Sequence, residues 1–339
     1  MSGASTRTAT DVAVRTPAPG RYRIGERSLD AAGIGDPALR ADFQECRRLH
    51  AEHGRTYYLA TTLLPPAKRP WVWALYGFAR YADEFVDSLT APDPDALVRF
   101  EEEFWRGLDG ARAGGTAPDA VSRAMALTTQ RWDIPREHVR AFLESMRMDI
   151  TETGYATWAD LVHYMHGSAA VIGLQMLPVL EPLPGLEEPA ARCARTLGEA
   201  FQMSNFIRDV GEDLERGRVY LPQEDLDACG VDRDELWHCR RTASLTPGVR
   251  TLLELEVART RELYARARPG IGMLHPTSRD AIACADELYG GILGAVEDAD
   301  LRVLHRRVSV PTPRRLAVAL PALARARRAR RDERAWRTA

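Results

Sequence analysis

Two pairs of aspartates, each spaced by four residues on a predicted helix, constrain this chain more than any other feature. Asp83 and Asp87 lie in the predicted helix RPWVWALYGFARYADEFVDS, and Asp209 and Asp213 lie in EAFQMSNFIRDVGEDLE. Side chains four residues apart share one face of a helix, so each pair presents two carboxylates one turn apart. A single such pair is most often a solvated surface feature. Two pairs predict a fold that brings their helices together.

Polar side chains extend the face of each pair. Tyr76 and Arg80 precede the first pair at helical spacing, and Gln202 and Asn205 precede the second. Carboxylate and amide oxygens suit Mg²⁺, which is usually held by a few carboxylates together with substrate phosphates. Iron fits less well, because neither helix carries the Glu-x-x-His motif of di-iron bundles. Four carboxylates in an apolar interior would repel strongly, so the sequence predicts a cation between the helices.

Arginines and an apolar segment indicate what else the site binds. Arg80, Arg208 and Arg218 lie near the acids in sequence, and guanidinium groups bind phosphate through paired hydrogen bonds. The segment 158–180 is apolar nearly all round, yet it contains many small residues. Small side chains either let another helix approach closely or leave room for an apolar ligand. A diphosphate attached to a long hydrocarbon is the ligand that suits both the charged residues and the apolar segment.

The remaining pattern predicts an all-α, single-domain helical bundle with a central cavity. Apolar residues recur at helical spacing through most of the chain, and no convincing alternating strand appears. Asp36 is the predicted N-cap of the first long helix, with Pro37 at its first position. The predicted helices cover 36–54, 69–88, 93–113, 118–132, 135–150, 158–180, 187–213, 222–229, 232–241, 247–268 and 277–304.

The two ends differ in composition from the predicted domain over 30–310. Residues 1–29 lack periodicity and predict a disordered segment. Residues 311–339 contain nine arginines and two acids, a net charge of +7, so the rest of the chain carries −9 of the total of −2. An acidic body argues against a nucleic-acid partner. The basic segment either contacts anionic lipid at the inner face of a membrane or is a disordered tail, and Pro321 is expected to interrupt any helix there.

Composition also indicates the cellular compartment in which the protein is expected to work. No apolar run is long enough to span a bilayer, and the N-terminus has no apolar core typical of a secretory signal. The five cysteines are scattered and include no CxxC pair, which argues against a disulfide framework or a zinc site. These features predict a cytoplasmic protein.

Four segments resemble recurring blocks of the squalene/phytoene synthase family. ALYGFARYADEFVD and AFQMSNFIRDVGEDLERGRVYLP resemble its two signature segments, and HGRTYYLATTLLPP and HYMHGSAAVIGLQMLP resemble two other blocks. The resemblance extends over about 36–310 and is strongest to the actinobacterial phytoene synthases of the family. It implies an all-α fold of the isoprenoid synthase type and a prenyltransferase activity.

The resemblance also implies roles for individual residues. Asp83 and Asp87 would hold Mg²⁺, with Mn²⁺ as the alternative ion, at one diphosphate, and Asp209 and Asp213 at the other. The implied diphosphate contacts are Arg80, Arg208, Arg218 and Arg306, with Arg307 as the alternative to Arg306. Tyr57, Tyr76, Tyr164 and Tyr289 would line the cavity, Tyr57 beside the diphosphate, while Gln202 and Asn205 would orient groups bound to the metal.

The reaction that the resemblance implies is a head-to-head condensation. Two geranylgeranyl diphosphates would form prephytoene diphosphate and then phytoene, in carotenoid biosynthesis, without NADPH. Three alternatives stay open: formation of presqualene diphosphate or squalene from farnesyl diphosphate, cyclisation of a single prenyl diphosphate, and a non-catalytic helical scaffold. A scaffold would be expected to lose carboxylates, and all four are present. The identity of the product stays open for two reasons. Glu84 stands where the family usually has a second aspartate, and His166 stands in place of an aromatic residue.

Overall fold

The computed structural model describes residues 25–86, 94–111 and 119–338. Within these ranges the regular structure is helical and no β-strand occurs, which confirms the predicted all-α fold. The helices are α1 (Glu26–Ala31), α2 (Pro37–His53), α3 (Arg55–Thr61), α4 (Arg69–Val86), α5 (Pro94–Ala111), α6 (Ala120–Arg131), α7 (Arg136–Thr151), α8 (Trp158–Met165), α9 (Val171–Leu180), α10 (Glu187–Glu215), α11 (Gln223–Ala228), α12 (Arg233–Thr242), α13 (Pro247–Ala267), α14 (Pro269–Gly272), α15 (Pro276–Asp298) and α16 (Thr312–Thr338).

The helices pack in two groups around a cavity. α4 packs against α2, α6 and α7, while α10 packs against α13, α15 and α9. Leu75 and Phe142 belong to the buried core of the first group, and Tyr164 and Phe206 to that of the second. All four side chains line the cavity. The two acidic helices therefore lie on opposite walls of one internal space.

The first boundary predictions have mixed outcomes. Asp36 caps α2 as predicted, because its carboxylate accepts a hydrogen bond from the Leu39 amide at 2.9 Å. The prediction that residues 1–29 are disordered is wrong for the last residues of this range, since α1 begins at Glu26 and Leu29 is fully buried. Glu26 forms an ion pair with Arg40 of α2, a tertiary contact that local periodicity cannot reveal. Residues 1–24 lie outside the described residues.

The helix predicted over 277–304 ends earlier than expected. α15 stops at Asp298, and Asp300 and Leu301 adopt positive φ angles of 53° and 60°. Left-handed backbone at two successive residues reverses the chain direction. The following segment returns to α10, where the main-chain oxygen of Leu304 lies against Gly211, and the same oxygen accepts a hydrogen bond from Arg240 of α12.

The segment predicted as one helix over 158–180 contains a π-helical turn at His166–Ala170 between α8 and α9. Its small residues serve both purposes that the sequence left open. A Cβ atom at Gly167 would overlap a carbonyl oxygen of α7, and one at Gly173 would overlap a carbonyl oxygen of α10. Ser168 and Ala169 meanwhile line the cavity. The same segment thus packs closely against neighbouring helices and also lines the cavity. π-helical turns are frequent at functional sites.

The basic C-terminal segment is helical and packed, contrary to the predicted interruption. α16 continues through Pro321, since the carbonyl that the proline leaves unpaired belongs to exposed Ala317 and can bind water. Its inner face buries Ala319, Ala322 and Ala326, and the helix packs against α15. Residues 312–333 are therefore part of the folded body. No described helix combines the length and the hydropathy that crossing a bilayer requires.

Close packing at Gly211 generates a stability prediction. A Cβ atom there would overlap the carbonyl oxygen of Leu304, a main-chain atom that cannot rotate away. We expect Gly211→Ala to lower the free energy of unfolding by about 1–3 kcal/mol, because overpacking exceeds the gain in helix propensity. Gly272→Ala is the matched control, as no atom lies within 4 Å of the position that its Cβ would occupy. Urea denaturation of both variants measures this, and equal stability would contradict the packing described here.

Candidate active site

Most of the predicted site residues converge on one cavity of about 500 Å³. α4 and α10 supply opposite walls, as the two aspartate pairs predicted. The predicted residues that line the cavity are Tyr57, Tyr76, Arg80, Asp83, Tyr164, Gln202, Asn205, Arg208, Asp209, Asp213 and Arg218. Asp87 lies outside the described residues, so its role stays a prediction.

The cavity has a charged region and an apolar region. Beyond the acids its walls are hydrocarbon, and the lining there includes Leu64, Leu180, Leu274 and Ala281. Lys68 lies outside the cavity, next to this apolar end. Its buried ammonium group pairs with Glu181 at 2.5 Å and donates to the Ser278 hydroxyl at 2.9 Å. A ligand with a charged head and a long apolar chain fits this division.

Arginines compensate the carboxylates of the charged region. Arg80 pairs with Asp83 at 2.5 Å on the same face of α4. Arg208 donates two hydrogen bonds to Asp209, at 2.7 Å and 2.6 Å. Arg307 reaches the same carboxylate from the loop after α15, with its Nε 2.8 Å from Oδ1. Each of these two acids therefore carries a counter-charge, as expected for carboxylates beside an apolar cavity.

Arg306 and Arg307, the two candidates for one predicted diphosphate contact, differ in their position relative to Asp209. Both side chains are exposed and neither lines the cavity, but Arg307 contacts Asp209, which does; the role of Arg306 stays a prediction. Arg307, the alternative kept open by the sequence, is the candidate anion-binding residue.

Asp213 differs electrostatically from Asp209. Burial raises the pKa of Asp213 to about 7, and the neighbouring charge of Asp209 contributes in the same direction. Arg216 and Arg218 lower it only in part. The folded protein thus holds at Asp213 a carboxylate that lacks sufficient positive charge, and a bound cation would supply it.

The donor set around Asp213 fits Mg²⁺. The side-chain oxygen of Asn205 is buried and has no hydrogen-bond partner in the described structure, although it lies on the face of Asp209 and Asp213. An orphaned amide oxygen near two carboxylates suits a hard cation or its water shell. The described residues contain no cluster of three or more His, Cys, Asp or Glu that would hold a metal by itself.

Glu84, the departure in the first motif, lies near Arg80 on α4 but does not line the cavity. Its carboxylate is 3.8 Å from Arg80 Nε and 43% exposed, and it is absent from the cavity lining. His166 likewise lies outside the lining, and burial lowers its pKa below the ordinary value. Neither residue projects a group into the charged region.

Tyrosines form the wall between the charged and apolar regions. Tyr57 stacks on Tyr289 with ring centroids 4.3 Å apart and lies 6.2 Å from Tyr76. Tyr289 does not line the cavity; it supports Tyr57 from behind. Burial raises the pKa of Tyr57, Tyr76 and Tyr164 well above the ordinary tyrosine value. Their hydroxyls remain protonated at neutral pH, so they offer aromatic faces rather than nucleophilic oxygens.

Asp149, at the end of α7, was missed as a site residue. It lines the cavity and accepts hydrogen bonds from the hydroxyls of Tyr164 at 2.8 Å and Tyr220 at 3.2 Å. Arg218 donates to its main-chain oxygen at 2.6 Å. Arg218, which is predicted to bind phosphate, therefore also stabilises the hydrogen-bond network around Asp149. A single aspartate at a helix end gave no periodic signal, and only the fold brings it to Tyr220.

His50 was also missed. Its ring stacks on Tyr76 with centroids 4.1 Å apart, and it lies on the cavity wall. Burial lowers the pKa of His50 to about 3, so the ring is neutral. Neither ring nitrogen has a hydrogen-bond partner in the described structure. The amphipathic pattern of α2 gave no reason to separate this histidine from the core.

Comparison with known proteins agrees with this geometry. The family model described as squalene/phytoene synthase matches residues 50–314, more than three quarters of the chain. The chain belongs to the squalene/phytoene synthase family. Both acidic motifs and Arg307 lie inside the match, whereas nearly all of α16 lies beyond it.

Curated relatives and solved structures support the same assignment. The chain is 34% identical to 15-cis-phytoene synthase of Synechocystis, with 81% of this chain and 82% of the relative covered. It is 32% identical to phytoene synthase 3 of Zea mays, with 91% and 70% covered. Squalene synthase HpnC of Alicyclobacillus acidocaldarius matches with a TM-score of 0.70 at 29% identity, over 80% of this chain and 98% of that one. A dehydrosqualene synthase matches with a TM-score of 0.74 at 26% identity, over 84% and 96%.

The contact between Arg307 and Asp209 predicts unequal roles for two adjacent arginines. We expect Arg307→Ala to weaken binding of inorganic diphosphate in the presence of Mg²⁺ by about 10–100-fold, the range for losing a charged hydrogen bond. Arg306→Ala, its matched control, should change the affinity by less than about threefold. Titration calorimetry measures both affinities. Equal effects of the two substitutions would contradict the preference for Arg307.

The raised pKa of Asp213 predicts a pH dependence of stability. In the unfolded chain its pKa is near 3.8, so folding disfavours the ionised form and stability is lost as pH rises from about 4 to about 7. Without metal, Asp213→Asn should therefore gain stability relative to the parent between pH 4 and pH 8, by at most about 4 kcal/mol. Urea denaturation across this range tests the sign. A constant difference would mean that Asp213 titrates normally.

Proposed function

We propose that the protein is a phytoene synthase that joins two geranylgeranyl diphosphates head to head. One observation carries this proposal: two acidic helices with paired arginines face each other across a cavity whose other walls are apolar. The curated relatives described above, at 32–34% identity, are named phytoene synthases. The product is phytoene, a precursor of carotenoids, and each turnover releases two diphosphates and two protons.

Substrate binding divides between the two regions of the cavity. Arg80 on α4 and Arg208 and Arg307 near α10 would hold the two diphosphates, because guanidinium groups pair with phosphate oxygens. The isoprenoid chains would extend along the apolar walls toward Leu64 and Leu180. Burial of hydrocarbon contributes about 25 cal/mol per Å² of apolar surface, so the chains position the reacting ends.

The residues present fit a magnesium site. Asp83 on α4 and Asp209 and Asp213 on α10 would hold Mg²⁺, with Asn205 and Gln202 oriented toward its ligands, and Mn²⁺ is the alternative ion. When bound, the ion would act as a Lewis acid that neutralises the leaving diphosphate. The orphaned oxygen of Asn205 and the raised pKa of Asp213 support this proposal.

The first half of the reaction needs charge stabilisation and alignment. The C–O bond to one diphosphate breaks, and Arg80 and its partners hold the departing anion. The allylic cation is attacked by the double bond of the second substrate, and loss of a proton closes a cyclopropane to give prephytoene diphosphate. The faces of Tyr57 and Tyr76 can stabilise the cation through their π electrons. Their protonated hydroxyls are poor nucleophiles, so the cation survives.

The second half begins when the remaining diphosphate leaves. The cyclopropylcarbinyl cation rearranges to join the two chains through their first carbons, and loss of one proton gives the central double bond of phytoene. Water must be absent, since it would convert the cations to alcohols. Asp149 and the hydroxyls of Tyr164 and Tyr220 form a polar network that is internally satisfied, so it places no free hydroxyl in the cavity.

A squalene-type product is the second candidate. The solved structures described above, which match above 25% identity, are a squalene synthase and a dehydrosqualene synthase. Such an enzyme would join farnesyl diphosphates, and squalene formation would require a hydride donor. We propose that no NADPH is used, because proton loss alone completes the phytoene reaction. Cyclisation of one prenyl diphosphate and a non-catalytic scaffold are weaker candidates, since paired acidic walls suit two diphosphates.

We also propose that the protein works in the cytoplasm, in peripheral contact with the inner face of the membrane through its basic C-terminal segment. The product is a hydrocarbon without a polar group, so it partitions into lipid. Residues 311–339 carry a net charge of +7, which would attract anionic headgroups. Deleting the whole segment would expose the α15 surface that α16 covers, so point substitutions are the better probe.

Turnover with Mg²⁺ and without NADPH tests the proposed reaction. Purified protein receives geranylgeranyl or farnesyl diphosphate, and the extracted products are identified by mass. We expect phytoene from the longer substrate, and a loss of about a thousandfold or more in Asp83→Ala and Asp209→Ala, because each removes several kcal/mol of charge stabilisation. Glu188→Ala, at an exposed position in the first turn of α10, is the matched control and should keep full activity.

Three results would contradict the proposal in distinguishable ways. A cyclopropyl diphosphate or C30 hydrocarbon formed preferentially from farnesyl diphosphate would assign the protein to the squalene branch. A cyclic terpene from one substrate molecule would indicate cyclisation. No turnover of either substrate, with the fold intact, would favour the scaffold.

A further inference from the structure

His50 is a buried titratable group on the cavity wall that the reaction described above does not use. It lies in the last turn of α2, is 1% exposed and lines the cavity. Neither of its ring nitrogens has a hydrogen-bond partner in the described part of the chain. An unpaired polar atom in a protein interior costs free energy, so such a group calls for an explanation.

Two aromatic rings fix the position of this imidazole. His50 stacks on Tyr76 with ring centroids 4.1 Å apart and planes 13° apart, and Tyr58 packs against it at 5.4 Å and 82°. Tyr76 lies at the boundary between the charged and apolar regions, one helical turn before Arg80. The imidazole is therefore held beside the place where the reacting ends of the two substrates would meet under the proposed function.

The imidazole of His50 is a neutral base in apolar surroundings. Burial alone lowers its pKa to about 3, with no charged group contributing. One ring nitrogen of a neutral imidazole carries the proton and the other carries a free lone pair. A water molecule would satisfy both nitrogens, but water in the cavity would convert the cations of the proposed reaction to alcohols.

The last proton loss of the proposed reaction needs a base that is not a diphosphate. In the cyclopropane closure, the proton leaves the carbon from which the first diphosphate has just departed, so that anion lies next to it. Before the last proton loss, the carbon skeleton rearranges after the second diphosphate has left. Both anions are then held by Arg80, Arg208 and Arg307, and pairing with guanidinium groups makes phosphate oxygens weaker bases.

The carboxylates that line the described cavity wall have other partners. Asp149 accepts a hydrogen bond at each of its two oxygens. Asp83 and Asp209 form ion pairs with arginines, and Asp213 belongs to the proposed magnesium site. His50 is therefore the cavity-lining base whose lone pair is available.

We propose that His50 is the base that accepts the last proton of the reaction. The C–H bond at one of the two joined carbons breaks, and its electron pair becomes the central double bond of phytoene. The proton bonds to the free ring nitrogen of His50. This role rests on the proposed function, because it requires a cation that ends in proton loss.

Two contacts stabilise the imidazolium that this step forms. The ring face of Tyr76 lies against it, and an aromatic face attracts a nearby cation. The C-terminal end of a helix favours positive charge, and His50 occupies the last turn of α2. The proton then passes to a released diphosphate, which restores the neutral ring that burial favours.

Product partition in two variants tests this role. His50→Phe keeps an aromatic ring against Tyr76 and removes the base, whereas His50→Gln keeps polar groups and also removes it. Each variant receives geranylgeranyl diphosphate with Mg²⁺, and prephytoene diphosphate, C40 alcohols and C40 hydrocarbons are quantified by mass. We expect phytoene to fall at least about a hundredfold as a share of the C40 products in both variants, the lower range for loss of a general base. Alcohols and isomeric hydrocarbons should replace it.

His238→Phe and His238→Gln are the matched controls. His238 is exposed on α12, so both substitutions should keep the product partition of the parent protein. Because the partition is a ratio among products, a loss of folded protein lowers total turnover without shifting it. Unchanged partition in His50→Phe would assign His50 to packing, and unchanged partition in His50→Gln would assign it to hydrogen bonding. Either result would overturn its role as a base.

Two further outcomes separate this role from the rest of the reaction. Loss of prephytoene diphosphate formation in both His50 variants would place His50 before the first condensation and overturn its assignment to the last step. No turnover by the parent protein would reject the proposed function and the base together, whereas an active parent with unchanged partition in the variants rejects the base alone. If the parent instead makes a C30 hydrocarbon with a central double bond, the partition of that product decides the role of His50.

Discussion

Charge balance across an apolar cavity is the constraint on which this structure depends. Carboxylates on α4 and α10 face a space whose remaining walls are hydrocarbon, where like charges repel strongly. Arginines compensate part of this charge: Arg80 holds Asp83, and Arg208 and Arg307 hold Asp209. Asp213 lacks an equal partner, so nearby positive charge does not compensate its burial. Burial therefore raises the pKa of Asp213 to about 7. The deficit is the physical reason to expect a cation, and diphosphate oxygens are the natural ligands to complete its shell.

Departures from regular helix geometry assemble this balance. The π-helical turn at His166–Ala170 lets one segment pack tightly against α7 and still line the cavity. The left-handed residues Asp300 and Leu301 end the last core helix and return the chain to α10. That return supplies Arg307, the second counter-charge of Asp209. Each departure has a local energetic cost of roughly 1–3 kcal/mol, which the surrounding packing offsets.

The sequence predicted those features that repeat within one helix. Asp83, Asp209 and Asp213 share faces with polar neighbours at fixed spacing, so both acidic helices and the all-α fold were accessible from periodicity and resemblance. Features created by tertiary contact were not. Asp149 meets Tyr220 only because α7 ends beside the segment between α10 and α11, and His50 meets Tyr76 only where α2 packs against α4. The choice between Arg306 and Arg307, the early start at Glu26 and the helix through Pro321 likewise depend on contacts distant in sequence.

We propose that α4 and α10 hold divalent cations together with diphosphate, and a crystal structure with a bound metal and substrate analogue tests this proposal. Crystals grown with Mn²⁺ and a thiodiphosphate analogue of geranylgeranyl diphosphate, which cannot ionise, would reveal metal positions by anomalous scattering. We expect manganese at Asp83 on one wall and at Asp209 and Asp213 on the other, with hydrocarbon density reaching Leu64. Analogue bound without manganese at either wall, or manganese at other sites only, would contradict it.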